Sequence, residues 1–233
     1  KNNEEKSKTV GKKSVSRKDF LKSSGAIAAG FAFLPSHVVA GLGHKQPSDK
    51  LNIAGIGVGG VGRTNLANMS DENIVALCDV DWKYAAKTFN DFPKAQKYED
   101  FRRMMDDMED TIDAVMIATP DHTHYVTAAD AMRRGKHVFL QKPLTHSVYE
   151  SRKLTELARE TGVATQMGNQ GNSADGIRKI CEWIWNGEIG EVEEAHAWTN
   201  RPIWPQGLER PAETPSTPPT LDWDLFVGPA EWR

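Results

Sequence analysis

The chain has 233 residues, a formal net charge of −3, 39% hydrophobic and 26% charged residues, and 19 glycines and 12 prolines without a triplet period. This composition excludes intrinsic disorder and a collagen-like chain, and the mild acidity excludes a general nucleic-acid binder, which needs clustered cations to displace counterions. Two cysteines, Cys78 and Cys181, with no CxxC pair, exclude a disulfide framework and a thiolate zinc site, and at about 150 residues per domain the length allows one full core and part of a second.

Residues 1–24 carry eight Lys or Arg against three acids; an apolar run from Gly25 to Leu34 follows, then Pro35 and the small-residue stretch Val38-Val39-Ala40-Gly41. A basic region, an apolar region and a small-residue exit in that order predict an export signal. The run is about half the ~20 residues a membrane-spanning helix needs, so no span is expected. Ser16-Arg17-Lys18-Asp19-Phe20-Leu21-Lys22 resembles the twin-arginine export signal, with Lys18 in place of that motif's second arginine. Residues 1–49 are read as a signal segment and linker, and an exported, periplasmic location is expected. A basic tail followed by a short core helix is the alternative.

Leu51 to Ile56 is a short apolar run that leads straight into Gly57-Val58-Gly59-Gly60-Val61-Gly62, with G-x-G-x-x-G at Gly57, Gly59 and Gly62. A helix over Arg63–Met69 and a second strand over Asn73–Cys78 follow, and Asp79 stands at that strand's end. Strand, glycine turn, helix, strand and acid, with the acid about 20 residues beyond the first glycine, form the pattern of a dinucleotide-binding unit. Gly57 permits the tight turn, Gly59 lets backbone approach a pyrophosphate, and Gly62 lets the helix pack on the sheet. Gly60 and Val61 lie where the helix N-terminus offers N–H donors and partial positive charge to phosphates. Asp79 is suited to accept from ribose hydroxyls and to repel a 2′-phosphate, so NAD is expected over NADP. A glycine-rich turn beside an exposed acid is the alternative.

The alternation continues with a strand at Gln96–Tyr98, a helix at Asp100–Met108, a strand at Ile112–Ala118 and a helix at His122–Arg134 closed by Gly135. A strand at His137–Gln141, a helix at Ser147–Glu160 with Gly162 past its end, and a strand at Val163–Met167 complete the series. Near-continuous apolar strands between helices predict an α/β fold, a Rossmann-type doubly wound parallel sheet covered on both faces, over residues 50–170.

In such a sheet, ligands bind outside the carboxyl ends of the strands. Three polar stretches stand there: Thr119-Pro120-Asp121-His122-Thr123-His124, Gln141-Lys142-Pro143 and Gly168-Asn169-Gln170-Gly171. They are expected to converge on one cleft. Thr119 and Pro120 would line the nicotinamide side, His122 and His124 would open the next helix, and His124 is a candidate for proton transfer; packing or capping is the alternative for either histidine. The two histidines fall on different helix faces with no acid to complete a ligand set, so no metal is expected. Asn169 and Gln170 read as amide partners for the nicotinamide carboxamide or substrate hydroxyls, or as a polar turn.

GVGGVG at Gly57–Gly62, CDVD at Cys78–Asp81, ATPDHTH at Ala118–His124 and LQKPLT at Leu140–Thr145 together resemble the Gfo/Idh/MocA family, the glucose-fructose oxidoreductase and inositol dehydrogenase group, from Leu51 to the C-terminus. The family usually reads Glu-Lys-Pro where this chain has Gln141-Lys142-Pro143. The resemblance implies that Lys142 lies beside the nicotinamide and hydrogen-bonds the hydroxyl that is oxidised, with Gln141 its neighbour in the cofactor site. A carbinol gives up its hydrogen only as its hydroxyl gives up a proton, and a nitrogen held against that oxygen stabilises the developing alkoxide or shuttles the proton. Burial is expected to lower the lysine's pKa toward the working range.

Beyond residue 170, Ala174–Asn186 predicts a helix with Ile177, Ile180, Cys181, Ile184 and Trp185 on its apolar face, and Glu191–Thr199 predicts a strand. A proline-rich stretch then leads to Leu221-Asp222-Trp223-Asp224-Leu225-Phe226-Val227-Gly228-Pro229, which also resembles the family. Residues 171–233 are read as the beginning of the family's C-terminal α+β domain with an open antiparallel sheet, and the chain as a C-terminally truncated copy of an oxidoreductase of roughly 400 residues. Six of the seven tryptophans fall in this portion, where they stack on sugars or pack in a core. The expected function is NAD-dependent oxidation or reduction at a secondary hydroxyl of a sugar, glycoside or polyol, by a homo-oligomer when complete. An NAD-dependent glycoside-cleaving enzyme using transient oxidation and a non-catalytic NAD- and sugar-binding protein are the alternatives.

Overall fold

Six strands form: β1 Asn52–Ile56, β2 Asn73–Cys78, β4 Ala114–Ile117 and β5 His137–Gln141 from largely apolar runs, and the more polar edge strands β3 Gln96–Tyr98 and β6 Thr165–Gly168. All pair in parallel, in the order β3-β2-β1-β4-β5-β6. Strand order reverses between β1 and β4, which leaves a crevice at their carboxyl ends. The computed structural model describes residues 49–200, 205, 207–209 and 211–231. The predicted export signal lies outside the described residues, and among the latter no helix is long and apolar enough to cross a membrane.

The helices are α1 Gly60–Ala67, α2 Trp82–Asp91, α3 Phe101–Asp107, α4 His124–Arg133, α5 Val148–Thr161, α6 Asp175–Trp185 and α7 Trp223–Val227. Successive strand residues point to opposite faces, and both faces are buried. Ala54, Ile56, Ala76, Cys78, Val115 and Ile117 pack with Met104 and Met105 of α3, Ala128 and Met132 of α4 and Leu154 of α5. Ile53, Leu77 and Met116, their alternates, pack with Leu66 of α1 and Ala85 and Phe89 of α2. This two-sided burial explains why the inner strands β1, β2, β4 and β5 read as largely apolar runs.

Side chains at the helix starts capture the orphan N–H groups. Asp81 Oδ1 accepts from the N–H groups of Lys83 and Tyr84 at 3.0 and 3.1 Å, Asp100 Oδ1 from that of Arg102 at 2.9 Å, and Ser147 and Glu150 form a reciprocal capping box on α5. Gly162, at φ 68°, closes α5 in the left-handed conformation.

Three expectations change. Asp121–Thr123 is a turn of 3-10 helix, so the helix expected from His122 begins at His124. Helices α2 and α7 were not expected; the buried stripe of α2 is only Ala85, Thr88 and Phe89, too small and too polar to register as periodic. Glu191–Thr199 is not a strand but exposed irregular chain. Among the described residues no strand pairs with it, and an unpaired strand leaves its backbone groups to water. The predicted helix at Ala174–Asn186 forms as α6, but of its expected apolar face Ile177, Ile180 and Ile184 are 40–47% exposed, Trp185 is 81% exposed and Cys181 is partly exposed.

Candidate functional site

Gly57 ends β1 at φ +72°, and a Cβ there would lie 2.7 Å from Ala118 C and Thr119 N. Only glycine takes that conformation without strain and lets the turn press against the exit of β4. Its N–H donates to the Cys78 carbonyl at 2.9 Å, which ties the turn to β2. A Cβ on Gly62 would collide with the carbonyl oxygen of Gly57, so the first turn of α1 rests directly on the strand exit. A Cβ on Gly59 would strike the ring of Tyr84; close approach here is to a side chain of α2 as well as to any phosphate.

Asp79, 8% exposed, follows β2. Its Oδ2 accepts from Gly59 N–H and its Oδ1 from Asp81 N–H, both at 3.0 Å. Burial pushes its carboxyl above the usual carboxylate range, opposed by the N–H donors of Asp81, Gly59 and Val58. The same burial, aided by the Asp79 charge, drives the Cys78 thiol far up. Thr88 of α2 donates to the Val58 carbonyl at 2.6 Å and so anchors the glycine turn from below.

Around these residues lies a cavity of about 720 Å³. Gly57, Gly59, Gly60, Val61, Asp79, Thr119 and Pro120, all chosen from sequence, line it. So do residues that sequence reasoning missed: Tyr84, Phe101 and Arg102, Val126, and Leu221, Asp224, Leu225, Phe226 and Pro229 from the far end of the chain. Arg102 is held by Asp100, its Nε and Nη2 donating to both carboxylate oxygens at 2.7–3.1 Å. The pairing lowers the Asp100 pKa and raises that of Arg102.

The remaining candidates are not in this cavity. His122 is half-buried, and its Nε2–H donates to the Phe226 carbonyl at 2.9 Å. His124, 1% exposed, sits between two carbonyls, Nδ1 at 2.8 Å from Pro143 O and Nε2 at 2.9 Å from Thr119 O; a neutral imidazole can donate to only one of them. Strand register sets Gln141 beside Gly168 and Leu140 beside Ile117, so the three polar loops do stand side by side. Gln141 is buried, its Oε1 accepting from Lys142 N–H at 3.0 Å, while its Nε2 and the Thr119 Oγ1 are buried without a partner. Lys142 is exposed, as are Asn169 and Gln170, so the burial expected to lower the Lys142 pKa is not found among the described residues. The Lys142–Pro143 bond is cis.

A cradle that a Cβ would fill, an acid at the end of the second strand and two orphaned buried polar atoms at the exits of β4 and β5 fit a nicotinamide dinucleotide. A family model described as "Oxidoreductase family, NAD-binding Rossmann fold" matches residues 51–169. The chain belongs to the Gfo/Idh/MocA family. It is 36% identical over 104 residues to scyllo-inositol 2-dehydrogenase (NAD(+)) of Bacillus subtilis, covering 45% of this chain and 28% of that one. It is 27% identical over 207 residues to a glycosyl hydrolase family 109 protein of Shewanella pealeana, covering 78% and 45%. Among solved structures, the myo-inositol 2-dehydrogenase of Lactobacillus plantarum superposes with TM-score 0.57 at 25% identity, over 61% of this chain and 43% of that one. The chain spans 25–45% of the length of these and the other curated Gfo/Idh/MocA relatives it matches.

Proposed function

We propose that this Gfo/Idh/MocA chain carries the cofactor half of an NAD-dependent oxidoreductase acting on a secondary hydroxyl of a sugar, glycoside or polyol. The observation that carries the reading is Asp79, buried at the crevice and bonded to the glycine turn, where a ribose would meet it. Its charge, and the engagement of Arg102 by Asp100, favour NAD over NADP. When bound, the nicotinamide supplies the acceptor for the hydrogen and electron pair leaving the carbinol carbon. Gln141 Nε2 and Thr119 Oγ1 are placed to donate to the carboxamide. Asn169 and Gln170 border the same strand ends.

Lys142 holds the hydroxyl: its Nζ donates to the oxygen as negative charge develops there. His124 does not move a proton in this scheme; buried between the Thr119 and Pro143 carbonyls, it donates to one of them and packs between the two loops, which positions the loop bearing Lys142. Export of the protein through its basic leader belongs to the same proposal.

The similarity to the family 109 hydrolase over 78% of the chain favours a second reading, glycoside cleavage with no net redox change. A panel of sugars and polyols with NAD+, read by absorbance of reduced nicotinamide and by released sugar, separates the two. Reduced nicotinamide with no aglycone release supports oxidation, and release without reduced nicotinamide supports cleavage. Lys142→Ala is expected to abolish turnover while leaving NAD+ affinity unchanged; normal turnover by this variant would refute the mechanism.

A further inference from the structure

The segment Thr220–Pro229 crosses back to the crevice from far along the chain. Leu221 bridges Asp81 in antiparallel fashion, Trp82 N–H donates to the Thr220 carbonyl at 3.2 Å, and Asp222 N–H donates to the Val80 carbonyl at 2.9 Å. One side of the segment is thus sewn to the chain that follows β2. At its other end, His122 grips the Phe226 carbonyl at 2.9 Å, and the two rings meet edge to face, 6.1 Å between centroids. Trp223 stacks on Phe226 at 5.5 Å, and Val227 is buried. Three hydrogen bonds to the rest of the chain, a ring stack and a buried valine make this a built element and not a passing loop.

Its apolar side chains line the cavity that holds Asp79 and the glycine turn, together with Pro120 and Val126. Thr119 and Pro120 at the exit of β4 also line it, whereas Lys142, Gln141 and Asn169 do not, so the cavity runs from the exit of β4 past Asp79, away from the Lys142 loop. With Asp79 addressing the ribose, the group that projects past it is the base. A flat heteroaromatic ring is recognised by apolar and aromatic faces on both sides, and the strap supplies the second side.

Resting on the NAD reading above, we propose that Thr220–Pro229 is part of the cofactor site, with Leu225 and Phe226 forming the outer wall against which adenine packs. His122 then serves cofactor binding indirectly, as the clasp that seats this wall. Neither residue is expected to touch substrate.

The test is titration calorimetry on the whole chain with NAD+, AMP and nicotinamide mononucleotide. Phe226→Ala is expected to weaken NAD+ and AMP about tenfold, the size of a lost base–aromatic contact, and to leave nicotinamide mononucleotide unchanged. Because Phe226→Ala can loosen the short α7, Leu225→Ala and the conservative Phe226→Tyr are measured beside it, with the melting temperature of each unliganded variant. Leu225→Ala is expected to weaken AMP in the same sense, and Phe226→Tyr to restore wild-type affinity. Equal losses for AMP and nicotinamide mononucleotide, or wild-type AMP affinity in both alanine variants, overturn the wall. If the unaltered chain binds NAD+ and AMP while the variants bind as well, only the wall falls; if the unaltered chain binds neither, the NAD reading falls with it.

Discussion

Asp79 Oδ2 accepts a hydrogen bond from Gly59 N–H at 3.0 Å, so the acid that ends β2 and the glycine that precedes α1 hold each other across the crevice. Asp79→Ala removes this bond, the one from Asp81 N–H and the acceptor for a ribose. Hydrogen bonds to a charged group contribute about 1.5–3 kcal/mol, so NAD+ affinity is expected to fall about 10- to 100-fold. NADP+ affinity falls less, because the repulsion of a 2′-phosphate goes with the carboxylate. Parallel titrations with both dinucleotides check the narrowed ratio; an unchanged preference would remove Asp79 from cofactor selection.

The pH dependence of binding and of stability have opposite signs at this residue. Burial raises the Asp79 pKa, so it takes up its proton at milder acidity than an ordinary aspartate, and NAD+ affinity drops as pH falls through that raised value. A raised carboxyl pKa also means that the folded state binds the proton more tightly than the unfolded chain. Its stabilising contribution is full below the unfolded pKa and is lost as pH rises through the folded one. Asp79→Asn is expected to flatten both profiles, measured as affinity and as unliganded melting temperature against pH.

Two glycine-to-alanine changes separate necessity from habit. A Cβ on Gly62 meets the Gly57 carbonyl, backbone against backbone, whereas one on Gly171 has nothing within 4 Å. Gly62→Ala is expected to cost about 1–3 kcal/mol, a fall in melting temperature of about 2–4 °C per kcal/mol, with loss of NAD+ binding. Gly171→Ala stays within about 0.5 kcal/mol of the parent.

The two thiols should behave differently. Cys78 is 1% exposed, and burial with the Asp79 charge keeps its thiol protonated, while Cys181 lies partly exposed on α6. Only the thiolate attacks an alkylating agent. A maleimide is expected to label Cys181 in the folded protein and Cys78 only after unfolding, as peptide mass spectrometry would show; fast labelling of native Cys78 would contradict its burial.

His124→Leu leaves one of the Thr119 and Pro143 carbonyls without its donor in a closed site. The expected cost is about 1–3 kcal/mol, seen in the denaturant midpoint. Turnover falls through the rate constant more than through substrate KM, because the loop bearing Lys142 loses its brace. A change confined to stability would limit His124 to packing.

What could be read from sequence was local. The glycine turn, β2 and Asp79 share one βαβ unit, and spacing alone brought them together. β2 and β5 fell where the apolar runs placed them, because two-sided burial leaves little polar interruption; β3, the exposed edge strand Gln96–Tyr98, is not an apolar run. Helix α2 escaped because Thr88, bonded to the Val58 carbonyl, occupies its buried stripe. The cofactor cavity's outer residues escaped for a different reason: Phe226 lies 104 positions from His122, and no periodicity reports such a pairing. Lys142 was placed by motif, and the motif says nothing of exposure. Glu191–Thr199 has a strand's composition but no neighbour to complete its ladder among the described residues.

The clasp between His122 and Phe226 also sets an order in time. A nascent chain that has made β1 to β6 already owns the glycine turn and Asp79, yet its crevice is open along one flank. Only when the chain through Pro229 has left the ribosome can Leu221 find Asp81 and Phe226 reach His122. On the proposed wall, firm capture of the dinucleotide waits for this segment, so that a retained cofactor reports a chain already folded back upon itself.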